Sequence, residues 1–139
     1  MTAIHTPIVT RPLSDSTDSL LRFALRADAT LCAALGLLVA MTADSLSQLT
    51  GVSATFGWIG GAALVGYGAL LYVLAAVSDV RRVGVGVVVG NVGFASVVVA
   101  VIVGGWLPLT AAGVVMAVSF TVATLALAYL QYLGVRRLA

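Results

Sequence analysis

The chain has no lysine and no glutamate, and only one histidine and one cysteine. Each scarcity closes a class of chemistry. A phosphate-cradling P-loop needs Gly-Lys-Ser/Thr, which cannot be written without lysine. With His5 as the sole histidine, bis-histidine haem ligation within the chain is excluded, and too few ligands remain for zinc. With Cys32 alone there is no intrachain disulfide, and its apolar neighbours predict that it packs as a small hydrophobe. Charge of either sign is scarce as well. Only 9% of the 139 residues are charged and 61% are hydrophobic, whereas soluble domains carry about 25% charged residues. A surface facing water could not be covered so sparingly, so lipid must solvate most of the chain. The net charge of +2 is too small and too dispersed to point to nucleic acid.

What is present is a set of long apolar runs, near 28–48, 56–77, 83–105 and 109–132. Each has the ~20 residues an α-helix needs to cross ~30 Å of hydrocarbon. Valine-rich stretches such as 87–89 would suggest strands in water, but an open strand in lipid leaves backbone groups unpaired, so helix is favoured. The connectors "DSLSQLTGVSAT", "SDVRR" and "GGWLP" are short, which makes successive helices antiparallel neighbours. The fold class predicted is all-α: a polytopic membrane protein with four transmembrane helices in an antiparallel bundle. Residues 1–18 read as a polar tail, 19–27 as an amphipathic segment at the headgroups, and 28–139 as the transmembrane domain.

The arginines set the expected orientation. Arg11, Arg22 and Arg26 precede the first run, Arg81 and Arg82 separate the second from the third, and Arg136 and Arg137 follow the fourth. All fall on one side, so the positive-inside rule predicts both termini in the cytoplasm. Trp58 and Trp106 mark the opposite interface, Tyr129 and Tyr132 the arginine side.

The densest glycines lie in "VGVGVVVGNVG", 83–93. A dinucleotide fingerprint would need glycine at 89, where valine stands, together with a preceding strand. Helical spacing is the better reading. Gly86, Gly90 and Gly93 follow a 4-3 seam, as do Ala33, Gly36 and Ala40, while Gly57 and Gly61 share one line of the second run. Lipid tails are as apolar as leucine, so helices associate where small residues let backbones approach. These eight positions are the predicted packing sites.

Two polar residues stand deep in the apolar runs. Asn91 and Tyr67 fall at similar depth when counted from the arginine side, so a hydrogen bond between them is expected, or failing that one from Asn91 to Thr121 or Thr124. Arg22, Arg26, Asp28, Asp79, Arg81, Arg82, Arg136 and Arg137 are placed at the cytoplasmic rim, pairing with one another or forming a docking patch for a partner or anionic lipid. On that placement no acid or base lies near the midplane, which weighs against an ion-coupled transporter. No Ser-His-Asp, Cys-His or paired-carboxylate site can be assembled, so catalysis is not expected.

The run "LLRFALRADATLCAALGLL" resembles the entry segment of small four-span actinobacterial integral membrane proteins, which carry L-R-x-A-L-R-x-D-A before the first span; Leu21, Arg22, Ala24, Leu25, Arg26, Asp28 and Ala29 match it. The resemblance implies a bacterial plasma-membrane location and a role for the Arg-x-Asp element. It carries no activity. The expected function is a non-catalytic accessory or assembly subunit of a larger inner-membrane complex, with membrane lipids and other membrane subunits as partners and no metal or other cofactor. The alternative is a small homo-oligomeric transporter or channel for an apolar or lipid-like substrate.

Overall fold

The computed structural model describes residues 17–139. Arg11, His5 and nearly all of the polar tail lie outside them. The described chain forms α1 (Ser19–Met41), α2 (Ala43–Thr50), α3 (Ala54–Leu74), α4 (Val80–Gly104) and α5 (Ala111–Arg136). Four of these, α1, α3, α4 and α5, are long and apolar enough to cross a membrane.

The helix ends follow from local chemistry. Ser53 caps α3 by accepting the Phe56 N–H at 3.3 Å, and Thr110 caps α5 by accepting that of Gly113 at 3.1 Å. Gly51 closes α2 at φ 81° and Gly105 closes α4 at φ 62°, left-handed conformations that glycine adopts without strain.

Two boundaries differ from the sequence reading. The first long helix starts at Ser19, not near residue 28, so 19–27 is no separate interfacial segment. Leu21, Ala24 and Leu25 are fully buried and continue the stripe of Asp28, Ala29, Cys32, Gly36 and Ala40. Their i, i+3/i+4 spacing makes them core, and the flanking arginines point away from it. The same helix stops at Met41. Residues 43–50, divided in the sequence reading between the first span and a connector, form the separate helix α2.

Helix α1 is the hub. It packs most extensively on α3 and also on α5 and α4, while α4 lies mainly against α5. Helices α3 and α4 scarcely approach each other. The α1–α3 seam is backbone on backbone. A Cβ placed on Gly36 would lie 2.6 Å from the Gly61 carbonyl oxygen, and one on Gly61 would lie 2.6 Å from that of Gly36 and 2.7 Å from the Ala40 nitrogen. Gly68 repeats the contact against Ala29 and Ala33. Gly57 instead faces Ala43 of α2. Among the described residues, nothing beyond their own helix backbone comes within 4 Å of such a Cβ at Gly86, Gly90 or Gly93, the glycines expected in the packing seams. The inward face of α4 is Val80, Gly84, Val87, Asn91 and Ala95, which leaves those three glycines outside.

At the arginine end, Leu21 is seated against Gly84 of α4 and Gly134 of α5, within a core that includes Leu25, Ala29, Leu71, Ala75, Val80 and Val87. At the opposite end the two helical pairs are latched. Thr110 donates its amide to Thr50 O at 3.0 Å and its hydroxyl to Leu49 O at 2.6 Å.

Candidate functional site

The interior of an apolar bundle is a costly place for a polar side chain, and polar groups found there are paired. Here each long helix contributes one to a single centre: Asp28 from α1, Tyr67 from α3, Asn91 from α4 and Gln131 from α5. Asp28 is 2% exposed, Asn91 5% and Gln131 not at all.

Oδ2 of Asp28 accepts from Gln131 Nε2 at 2.7 Å and from Asn91 Nδ2 at 3.1 Å. Oδ1 accepts from the Cys32 thiol one turn along α1, at 3.3 Å. The Asn91 amide group also donates to Gln131 Oε1 at 3.2 Å, and its own Oδ1 accepts the Tyr67 hydroxyl at 3.2 Å. Among the described residues no buried side-chain nitrogen or oxygen is left without a partner.

The Tyr67–Asn91 bond is thus present, and the two threonines are not used in its place. Thr121 and Thr124 donate to the carbonyls of Ala117 and Phe120 on their own helix. Asp28 does not sit at the rim. It is nine residues beyond Ser19, about 14 Å along the axis, and is the tenth residue of a 23-residue helix. The early start of α1 moves it inward and removes the premise that no ionisable group lies inside the bundle. Gln131 and Cys32 were missed as polar partners. The signal for Gln131 was an amide five positions inside the terminal Arg136, on the i−3 line of Gly134 and the i+3 line of Ala128, both buried.

The arginines stay outside this centre. Arg22 binds Asp18 at 2.7 Å and donates to the carbonyls of Ala75 and Val77 at 2.7 and 3.0 Å, satisfying the C-terminal end of α3. Asp79 pairs with Arg82 at 3.0 Å on an exposed turn, a contact of little energetic weight. Arg136 lies over the Tyr132 ring at 5.8 Å. Arg26, Arg81 and Arg137 are exposed. Among the described residues no three His, Cys, Asp or Glu side chains gather in the manner of a transition-metal site.

These features define a class: an all-helical protein with four membrane-length helices tied together by one interior carboxylate and two amides. Comparison with protein-family models, with curated proteins and with solved structures finds no match for the chain.

Proposed function

We propose that the chain is a non-catalytic accessory or assembly subunit of a larger complex in a bacterial plasma membrane, with both termini cytoplasmic. The observation that carries this reading is the unequal use of its small-residue seams. Gly36, Gly61 and Gly68 bring α1 and α3 into backbone contact, whereas Gly86, Gly90 and Gly93 leave a face of α4 open to close approach and uncovered by any other described element. In lipid such a seam is where a helix of another chain gains dispersion contacts. The resemblance of the Leu21–Ala29 segment to actinobacterial membrane proteins supports the location, and the one-sided arginines support the orientation.

Isolation of the wild-type chain from native membranes in mild detergent should yield a stoichiometric larger partner. Gly90→Leu should lose that partner at an unchanged melting temperature, because among the described residues nothing beyond its own helix backbone lies within 4 Å of a Cβ there. A chain that purifies alone, or a Gly90→Leu variant that keeps its partner, would overturn the subunit reading. The orientation is checked separately. In a chain made cysteine-free, a cysteine at exposed Ser53 should react with an impermeant reagent from outside, and one at exposed Ser78 should not. The reverse pattern would invert the topology.

A second reading, a small transporter or channel, draws on Asp28. A carboxylate inside a membrane bundle is a feature of ion and substrate pathways. On that reading the substrate need not be apolar.

A further inference from the structure

The arginines of the bundle are not used alike. Among the described residues the ion pairs are Arg22–Asp18 and Arg82–Asp79. Arg22 is built into the fold, since it also caps α3 through the carbonyls of Ala75 and Val77. Four others gather at the end of the α4–α5 pair. A Cβ on Gly84 of α4 would lie 2.7 Å from Val135 Cγ2 and 2.8 Å from Leu21 Cδ2, and one on Gly134 of α5 would meet the Leu21 backbone at 2.8 Å. These contacts put Leu21, Gly84 and Val135 at one level of the bundle. Arg81 and Arg82 stand just before Gly84, and Arg136 and Arg137 just after Val135. All four therefore lie within about 5 Å of that level along the axis, toward the same end. From Ala75 to Ala139 the sequence holds one acidic residue, Asp79, so four positive side chains stand against one negative.

We infer that the arginine cluster of α4 and α5 binds the headgroup of an anionic phospholipid. Depth favours a lipid over an ion or a protein from the water. Helix α4 has 25 residues, Val80–Gly104, and so spans about 37 Å against ~30 Å of hydrocarbon. Its first turn, with Arg81 and Arg82, reaches the level of the phosphates, and so does the last turn of α5 with Arg136. The aromatic side chains agree. Arg136 lies over the Tyr132 ring at 5.8 Å, and Tyr129 is exposed three residues further in. Aromatic rings of this kind settle at the headgroups.

The chemistry fits as well. A guanidinium is planar and offers phosphate two parallel N–H donors. Arg81 and Arg137 are exposed and enter no ion pair among the described residues. The Arg82–Asp79 pair is exposed, so it holds Arg82 weakly, and Asp79 has a second task in accepting the Arg82 backbone N–H at 3.4 Å. A phosphate at this end offsets the charge excess while its acyl chains lie along the lipid-facing sides of the same helices. Arg26 is the contrast. It lies five residues beyond Leu21 on α1, about 10 Å deeper than the cluster, and it is a single charge. The inference stands apart from the subunit reading and from the orientation, because detergent offers lipid to both ends of the bundle.

The test is thermal unfolding of the full chain in mild detergent with added lipid. Phosphatidylglycerol should raise the melting temperature by about 5 °C over the same mole fraction of phosphatidylcholine, because it binds the folded chain. Sodium chloride at about 1 M should remove most of that rise. Each arginine near an anionic surface contributes about fivefold in affinity, so Arg81→Gln combined with Arg137→Gln should raise the half-saturating phosphatidylglycerol concentration about 25-fold. In phosphatidylcholine that variant should melt with the wild type. Arg26→Gln should change half-saturation less than twofold, and a larger loss there would show attraction to charge anywhere on the bundle and overturn the site. Equal response of the wild type to both lipids, or a double variant that binds as the wild type does, would also overturn it and leave the arginines as signals of topology. A rise reproduced by inorganic phosphate at the same phosphorus concentration would overturn the lipid. Loss of a co-purifying acidic protein from the double variant, with no lipid response in the wild type, would assign the cluster to a protein partner instead. The salt and phosphate arms use the wild type, so they decide the matter even if the double variant folds poorly.

Discussion

Gly61→Leu should strongly destabilise the folded chain. A Cβ at Gly61 meets the Gly36 carbonyl oxygen at 2.6 Å, the Ala40 nitrogen at 2.7 Å and the Ala40 Cβ at 2.9 Å. Two of the three are backbone atoms of α1, so no rotamer change relieves the overlap. The helices have to separate, and the contacts at Gly36 and Gly68 are lost with the one at Gly61. Overpacking of a tight core costs about 1–3 kcal/mol where side chains can yield. Here the cost should reach or exceed the upper figure, against a whole stability of about 5–15 kcal/mol for an ordinary domain. Among the described residues a Cβ on the neighbouring Gly60 meets nothing within 4 Å beyond its own helix backbone, so Gly60→Leu is the matched control, and exposed Val99→Leu is a second. Size-exclusion profile and thermal unfolding in detergent read the difference. Similar melting of all three variants would show that the α1–α3 seam is not where the helices meet.

The second large effect belongs to Gln131→Leu. Leucine fills much of the same volume but removes the donor at 2.7 Å from Asp28 and the acceptor at 3.2 Å from Asn91. A hydrogen bond to a charged group contributes roughly 1.5–3 kcal/mol and a neutral one about 1, so a loss of about 3 kcal/mol is expected although Asn91 still donates to Asp28. Tyr67→Phe removes one neutral bond at the half-buried edge of the same network and should cost about 0.6 kcal/mol, the average for such bonds in membranes. The two variants compared by thermal unfolding test whether the centre is organised around the carboxylate. A Gln131→Leu protein no less stable than Tyr67→Phe would mean that Asp28 finds its partners elsewhere, water included.

Much of this architecture is legible in the residues. The four apolar runs announce the long helices, because length and hydropathy alone decide which helices can cross a membrane. The Tyr67–Asn91 bond follows from counting depth inward from the arginines on two antiparallel helices. What escapes is what depends on rotation and on exact starts. Gly86, Gly90 and Gly93 have the same spacing as the small residues of α1, and spacing tells which residues share a face, not which way that face turns. Asp28 sits beside Arg26 in sequence, which suggests the rim. Only the burial of Leu21, Ala24 and Leu25 shows that α1 is already deep in the bundle there. Helix α2 is only eight residues long and polar, so it reads as a connector, and its packing under the α3 and α5 ends is a tertiary event.

The hub position of α1 has a consequence in time. Its shortest hydrogen bond to Asp28 comes from a residue 103 positions later in the chain. At ordinary synthesis rates of about 5–20 residues per second, Gln131 follows Asp28 by roughly 5–20 s. Over that interval α1 has left the ribosome with its carboxylate unmatched by the amides of α4 and α5. Water or the insertion machinery is left to solvate that charge until the last helix arrives, so the chain stays dependent on its assembly surroundings almost until its synthesis is complete.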